Sequence, residues 1–190
     1  MKHLLLYIMC LISSLTANGQ IQADSVGIFA LVDNQAIRMN KITHQAIKGS
    51  GGLASMATFG MAKIKSKLQF KGNTSPNHFK GSAKFLMYFG TPSTADILNL
   101  YQFTTAYSAK DFEIVRFDVK KNTRLLTGVT ASLFGSSVGV SGTDDLNVVI
   151  KELRPKVYEI EITGRPGEYC FMFTANGTNG FGGVYDFTLE

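Results

Sequence analysis

Tyr158-Glu159-Ile160-Glu161-Ile162-Thr163, then Gly164-Arg165-Pro166-Gly167, then Glu168-Tyr169-Cys170-Phe171-Met172-Phe173 is the stretch that decides the fold. Tyr158, Ile160 and Ile162 alternate with Glu159, Glu161 and Thr163, which is the period of two of a strand with one face buried. The Gly-Arg-Pro-Gly run is a turn, and Tyr169, Phe171 and Phe173 then occupy one side of a second strand. Tyr185, Phe187 and Leu189 repeat the pattern near the end of the chain. None of these windows fits a helical period.

Outward from that stretch the same grammar continues. Leu146 to Leu153 reads as a strand. Phe112 to Lys120 and Thr123 to Thr127 read as a hairpin turning at Lys121-Asn122. The apolar parity there moves from Phe112 and Ile114 to Val115, Phe117 and Val119, which predicts a β-bulge near Ile114. Phe85 to Phe89 is apolar at every position, as expected for a central strand buried on both faces. Ile64, Leu68 and Phe70 alternate with lysines up to Lys71, and Gly72 to Pro76 end that strand. Val26 to Val32 and Gln35 to Met39 flank Asp33-Asn34, a two-residue hairpin turn. Ala46 to Ala62 and Gly128 to Gly142, rich in small residues, read as loops, the first with room for a helical turn at Leu53 to Phe59. Thr91 to Asp96 opens a short helix capped by Thr91. About ten short strands at hairpin spacing predict an all-β fold, an antiparallel sandwich or partly closed barrel with one or two short helices at most. Phe85, Met87, Tyr158, Ile160, Tyr169, Phe171, Tyr185 and Phe187 are expected to share one core.

The amino end is read as a targeting segment. Lys2, the apolar run Leu4 to Leu15 and the small residues Ala17 and Gly19 have the parts of a secretory signal peptide, so residues 1–19 are expected to be removed and 20–190 to form a single β-rich domain. The protein is then exported, with periplasm, outer-membrane face and medium all left open. The apolar run is short for a membrane span. Cys10 leaves with the signal, and Cys170, left alone, forms no internal disulfide.

The formal net charge is +5, one less without Lys2, and it is unevenly spread. Residues 34–95 hold no Asp or Glu but carry Arg38, Lys41, Lys48, Lys63, Lys65, Lys67, Lys71, Lys80 and Lys84. Lys63, Lys65, Lys67 and Lys71, with Lys84, are the candidate ligand-binding residues. They form either a platform for an anionic glycan, lipopolysaccharide or another envelope protein, or the solvated face or edge-protecting lysines of an ordinary strand. Nucleic acid is not expected, since only Arg38 and Arg116 precede residue 121 and no reading motif is present.

Other chemistry is thin. His44 and His78 have no partner at metal-ligand spacing and read as exposed loop residues. Cys170, beside Met172 on one strand face, reads as a small buried hydrophobe rather than a nucleophile. Gly135-Ser136-Ser137-Val138-Gly139 lacks the spacing of a nucleophile elbow. Asp144-Asp145 reads as a turn, Glu159 and Glu161 as a polar strand face, and Asp186 as facing solvent or a turn between buried neighbours. Neither cofactor nor metal is implied. Three functions stay open: a non-enzymatic binding module, a hydrolase acting on envelope or polysaccharide, and a structural subunit joined through β-edges.

Three features occur together: the amino-terminal hairpin, the Lys120-Lys121-Asn122-Thr123-Arg124 turn, and Pro166-Gly167-Glu168-Tyr169 followed across a glycine-rich gap by Val184-Tyr185-Asp186-Phe187. In these the chain resembles a group of uncharacterised secreted β-rich proteins of Bacteroidota. The resemblance implies export from a Gram-negative bacterium and a β-rich fold, and it carries no activity or site residues. In that setting Asp24-Ser25-Val26 matches a short O-glycosylation pattern, while Asn73-Thr74-Ser75 and Asn176-Gly177-Thr178 are not glycosylation acceptors.

Overall fold

A strand whose two faces are both covered can be apolar throughout, whereas one with a single covered face must alternate, and this chain uses both kinds. The computed structural model describes residues 26–33, 35–50, 64–90, 106, 108–132, 135–138, 146–173 and 183–190. They form fourteen strands and one three-residue 3-10 turn, Ala109–Asp111, capped by Ser108. The strands are β1 (Gly27–Val32), β2 (Gln35–Arg38), β3 (Ala46–Ser50), β4 (Ile64–Lys71), β5 (His78–Phe79), β6 (Ser82–Tyr88) and β7 (Phe112–Arg116). There follow β8 (Asp118–Lys120), β9 (Thr123–Ser132), β10 (Gly135–Val138), β11 (Leu146–Arg154), β12 (Val157–Gly164), β13 (Gly167–Phe173) and β14 (Val184–Leu189). The fold is all-β and not closed into a barrel. It has more strands than the roughly ten expected, because β3 and β10 run through small-residue stretches read as loops, β5 is a two-residue strand in a stretch read as a turn, and the Phe112 to Lys120 run divides into β7 and β8. The expected helices at Leu53 to Phe59 and after Thr91, and the leader 1–19, lie outside the described residues.

Three sheets stack in layers. The front sheet has the order β11-β12-β6-β1-β2, the middle sheet β5-β14-β13-β7, and the back sheet β10-β9-β4-β3, with β8 pairing the first residues of β9. Every strand pair is antiparallel except β5 with β14. The core between front and middle sheets contains Phe85, Met87, Ile160, Tyr169, Phe171, Tyr185 and Phe187, with Tyr158 packed against it, as the sequence predicts, and takes in Ile28 and Ile162 as well. Phe85 stands at its centre, 4.9 Å from the Phe171 ring and 5.0 Å from that of Phe187. A second core lies on the far side of the middle sheet, where Val115, Phe117, Cys170, Met172 and Val184 meet Leu68, Phe70 and Leu126. Tyr169, Phe171 and Phe173 therefore serve one core while Cys170 and Met172 serve the other.

Two strand readings change for that reason. β7 lies in the middle sheet, so Phe112 and Ile114 face one core and Val115 the other. The parity shift marks two covered faces and not a bulge, and past Phe117 the chain crosses into the back sheet as β8. β6 does lie at the centre of the front sheet, but Leu86 and Tyr88 on its outer side are only half-buried, since no sheet among the described residues covers that face. The Gly164 to Gly167 turn carries the chain from front to middle sheet. Its corner is held by Tyr169 Oη donating to Arg165 O (2.7 Å) and by Arg116 Nη2 donating to Pro166 O (3.2 Å). Gly183 is required where the chain enters β14, because a Cβ there would lie 2.6 Å from the Ile42 carbonyl oxygen.

Candidate functional site

The back sheet turns its inner face to the second core and its outer face away from the molecule, and the lysines follow that division. Leu68 and Phe70 are buried, whereas Lys67 and Lys71 are exposed. The alternation holds because Leu68 and Phe70 meet the middle sheet while the residues between and beyond them do not. Lys65 has the same parity in β4, opposite Ser50 and Thr130, and Lys63 lies outside the described residues.

Pairing brings in residues the sequence pattern missed. The register sets Lys48 of β3 directly across from Lys67 of β4, and like charges in that position repel. Lys71 pairs with Thr123, which in turn pairs with the exposed Lys120 of β8. Opposite Lys67 the register of β9 slips, since Ser66 pairs with Val129 but Leu68 with Leu126. The extra residue is a β-bulge, a device that bends a sheet locally. The sequence pattern does not reveal Lys48 and Lys120, because β3 reads as a loop and β8 as part of a longer strand. Lys84 does not join this group: it stands on β6 in the front sheet, 3.4 Å from Glu161. Lys80 is exposed beside β5.

β4 is an interior strand, flanked by β3 and β9. Its lysines therefore cannot be edge guards, whose role is to deter a further strand. The strands of the back sheet hold Lys48, Lys65, Lys67, Lys71, Lys120 and Arg124 against one acid, Asp118.

Behind the lysines, on the inner face, lies a buried ion cluster. Arg124 pairs with Phe70 across the sheet, and its Nη1 donates to Asp186 Oδ2 (2.6 Å) and Glu168 Oε2 (3.2 Å) in the middle sheet. The three side chains are 3 %, 1 % and 8 % exposed. Glu168 Oε2 also accepts from the Ser75 amide (2.8 Å), while Oε1 accepts from Thr74 Oγ1 (3.0 Å) and Thr188 Oγ1 (2.7 Å). Ser75 Oγ and Asn77 Nδ2 both donate to Asp186 O, each at 3.0 Å. The Arg124 guanidinium lies 5.0 Å over the Phe117 ring. Asp186 thus faces the second core and not solvent, because β14 has a sheet on each side.

The cluster is built for holding and not for reaction. Each Glu168 oxygen already accepts two donors, and both carboxylates are shut off from any ligand that stays in solvent. Cys170 is fully buried beside it. Burial, reinforced by the Asp186 charge and opposed by Arg124, pushes its thiol well above the ordinary value, the reverse of what a nucleophile needs. His44 is not exposed as expected but packs edge-on against Phe70, with ring centroids 6.5 Å apart. His78 is exposed and pairs through Nδ1 with Glu190 Oε1 at 2.8 Å. Among the described residues no three acids, histidines or cysteines gather at metal-binding distance, and no helix is long and apolar enough to cross a membrane. Asp144-Asp145 lies outside the described residues. No family model, curated protein or solved structure matches the chain.

Proposed function

We propose that this protein is an exported, non-enzymatic binding module whose back-sheet face takes an anionic partner, an acidic glycan or a lipopolysaccharide-type envelope component. The observation that carries the reading is the Lys48–Lys67 cross-strand pair on an interior strand of a sheet that, apart from the buried Arg124, has five lysines and one acid. A face that is merely solvated mixes both signs. Repulsion between directly opposed like charges is relieved when phosphate or carboxylate groups sit over them. The signal-like leader and the resemblance to secreted Bacteroidota proteins support export and the envelope setting. The hydrolase reading is the weaker one, because Glu168 and Asp186, the acids that converge, are consumed by bonds within the cluster.

Replacing Lys65, Lys67 and Lys71 together with Gln tests the proposal. Retention on heparin and on immobilised lipopolysaccharide should fall, as should its dependence on salt, since exposed charges are screened over roughly 8 Å at physiological ionic strength. Thermal stability should be unchanged or slightly raised, by a few tenths of a kcal/mol at most for relieved surface repulsion. Unchanged retention with an unchanged salt slope would overturn the assignment.

A further inference from the structure

The charges of the back sheet fall into two groups with an uncharged stretch between them. At one end Lys65 and Lys67 stand two residues apart on β4, with Lys48 opposite Lys67 on β3. At the other end Lys71 shares a row with Thr123 of β9 and Lys120 of β8, and the hairpin turn continues into Lys121. Gly72 N donates to Asn122 O (3.1 Å), which fixes that turn against the end of β4. Lys67, Lys71, Lys120 and Lys121 are all exposed, and none of them takes part in an ion pair among the described residues. Four steps of strand separate Lys67 from Lys71, about 13 Å between Cα atoms. The bulge opposite Lys67 leaves that spacing alone, because the extra residue belongs to β9.

The row between the two groups runs Ala46 of β3, Gln69 of β4, Leu125 of β9 and Asp118 of β8. It contains no base, and it ends on the one acid of these strands. Given the anionic partner proposed above, we infer that this partner is an acidic polysaccharide in which charged sugars alternate with neutral ones. Laid along β4, it sets one acid on each lysine group and carries an uncharged sugar across the Gln69 row. A lone phosphate or sulfate reaches only one group, since repulsion holds the ammonium heads of the two groups apart. A chain with an acid on every sugar brings one of them beside Asp118. Composition argues against a protein partner. Protein interfaces concentrate aromatic, Met and Arg side chains and deplete lysine, whereas the outward row positions Lys65, Lys67, Gln69, Lys71, Thr123 and Leu125 include none of the favoured types. Joining two acids in one chain makes the second contact intramolecular, which raises affinity by roughly 10²–10⁴ over either contact alone.

Hyaluronan oligosaccharides of rising length, which carry a carboxylate on every second sugar, test this by calorimetric titration at low salt. Affinity should step up on the order of 10²-fold once the chain is long enough to reach both groups. Lys65→Gln with Lys67→Gln, or Lys71→Gln with Lys120→Gln, should each erase the step and leave the shortest oligosaccharide bound at the remaining group. Asp118→Asn should tighten heparin oligosaccharides, which have acids on every sugar, more than hyaluronan. A smooth rise of affinity with length, a step that survives loss of either pair, or equal tightening of both glycans by Asp118→Asn would each overturn the inference while leaving anionic binding in place. Lipopolysaccharide held more tightly than the longest oligosaccharide would assign the face to a lipid headgroup and overturn it as well. Heparin retention that ignores the Lys65, Lys67 and Lys71 triple variant would sink the anionic reading itself, and this one with it.

Discussion

Arg124 shows what one side chain can hold together. It leaves the back sheet, crosses into the second core and binds carboxylates from β13 and β14, so one guanidinium joins two layers. Such a pair contributes little over a well-packed apolar substitute, but breaking it leaves uncompensated charge in a dry site. Arg124→Met is therefore expected to cost about 3–5 kcal/mol in urea unfolding. Arg124→Met combined with Asp186→Leu should recover much of that loss, because Glu168 keeps Ser75, Thr74 and Thr188 as donors. A double variant no more stable than the single one would show that packing, not charge, dominates. None of this was legible in the sequence. Asp186 sits at an alternating position between Tyr185 and Phe187, and alternation places it in water only if the strand has a wet face. Whether a second sheet covers that face is not written in the six residues around it.

Strands were legible where one face is apolar and unreadable where composition hides the period. The β12, β13 and β14 windows alternate strongly, and their core residues meet as expected. β3 and the end of β9 pair through backbone bonds, with Gly, Ser and Thr in place of large side chains, so no periodic signal remained. β7 misled in another way: its parity shift is what two covered faces produce, and a bulge produces the same string. Glu113 is the cost of that arrangement. It sits on β7, the edge of the middle sheet, where its Oε2 is buried with no hydrogen-bond partner among the described residues, and burial raises its pKa above the ordinary 4.5. For an acid held higher in the folded state, folding favours the protonated form. The native state then binds more protons than the unfolded one above pH 4.5, and stability falls as pH rises through the folded-state value. Glu113→Gln should accordingly be more stable than the parent at pH 7, with the gain fading as pH drops below 4.5. Melting temperatures across that range check both the sign and the window.

Three stacked layers give the molecule two cores that share one sheet, and the aromatic contacts concentrate in the first. Phe85 is fully buried there and lies 5.2 Å from Phe79 as well as against Phe171 and Phe187. Phe85→Ala should lower stability by about 3–5 kcal/mol, the usual range for deleting a large buried ring, while far-ultraviolet circular dichroism keeps its strand signature. A loss under about 1 kcal/mol would mean that the site collapses freely. All-β character and the membership of this core were predictable, since both follow from period and bulk. The layer count was not, because which face each apolar run covers depends on pairings between residues far apart in the chain. The order of those layers also governs time. β14 follows every other described strand in the sequence, yet it lies inside the middle sheet, between β5 and β13, and lines both cores. A chain emerging from the ribosome can form the hairpins β1–β2, β9–β10 and β11–β12 early. It cannot close either core until residues 184–189 arrive, so the early hairpins wait, unpacked, for β14.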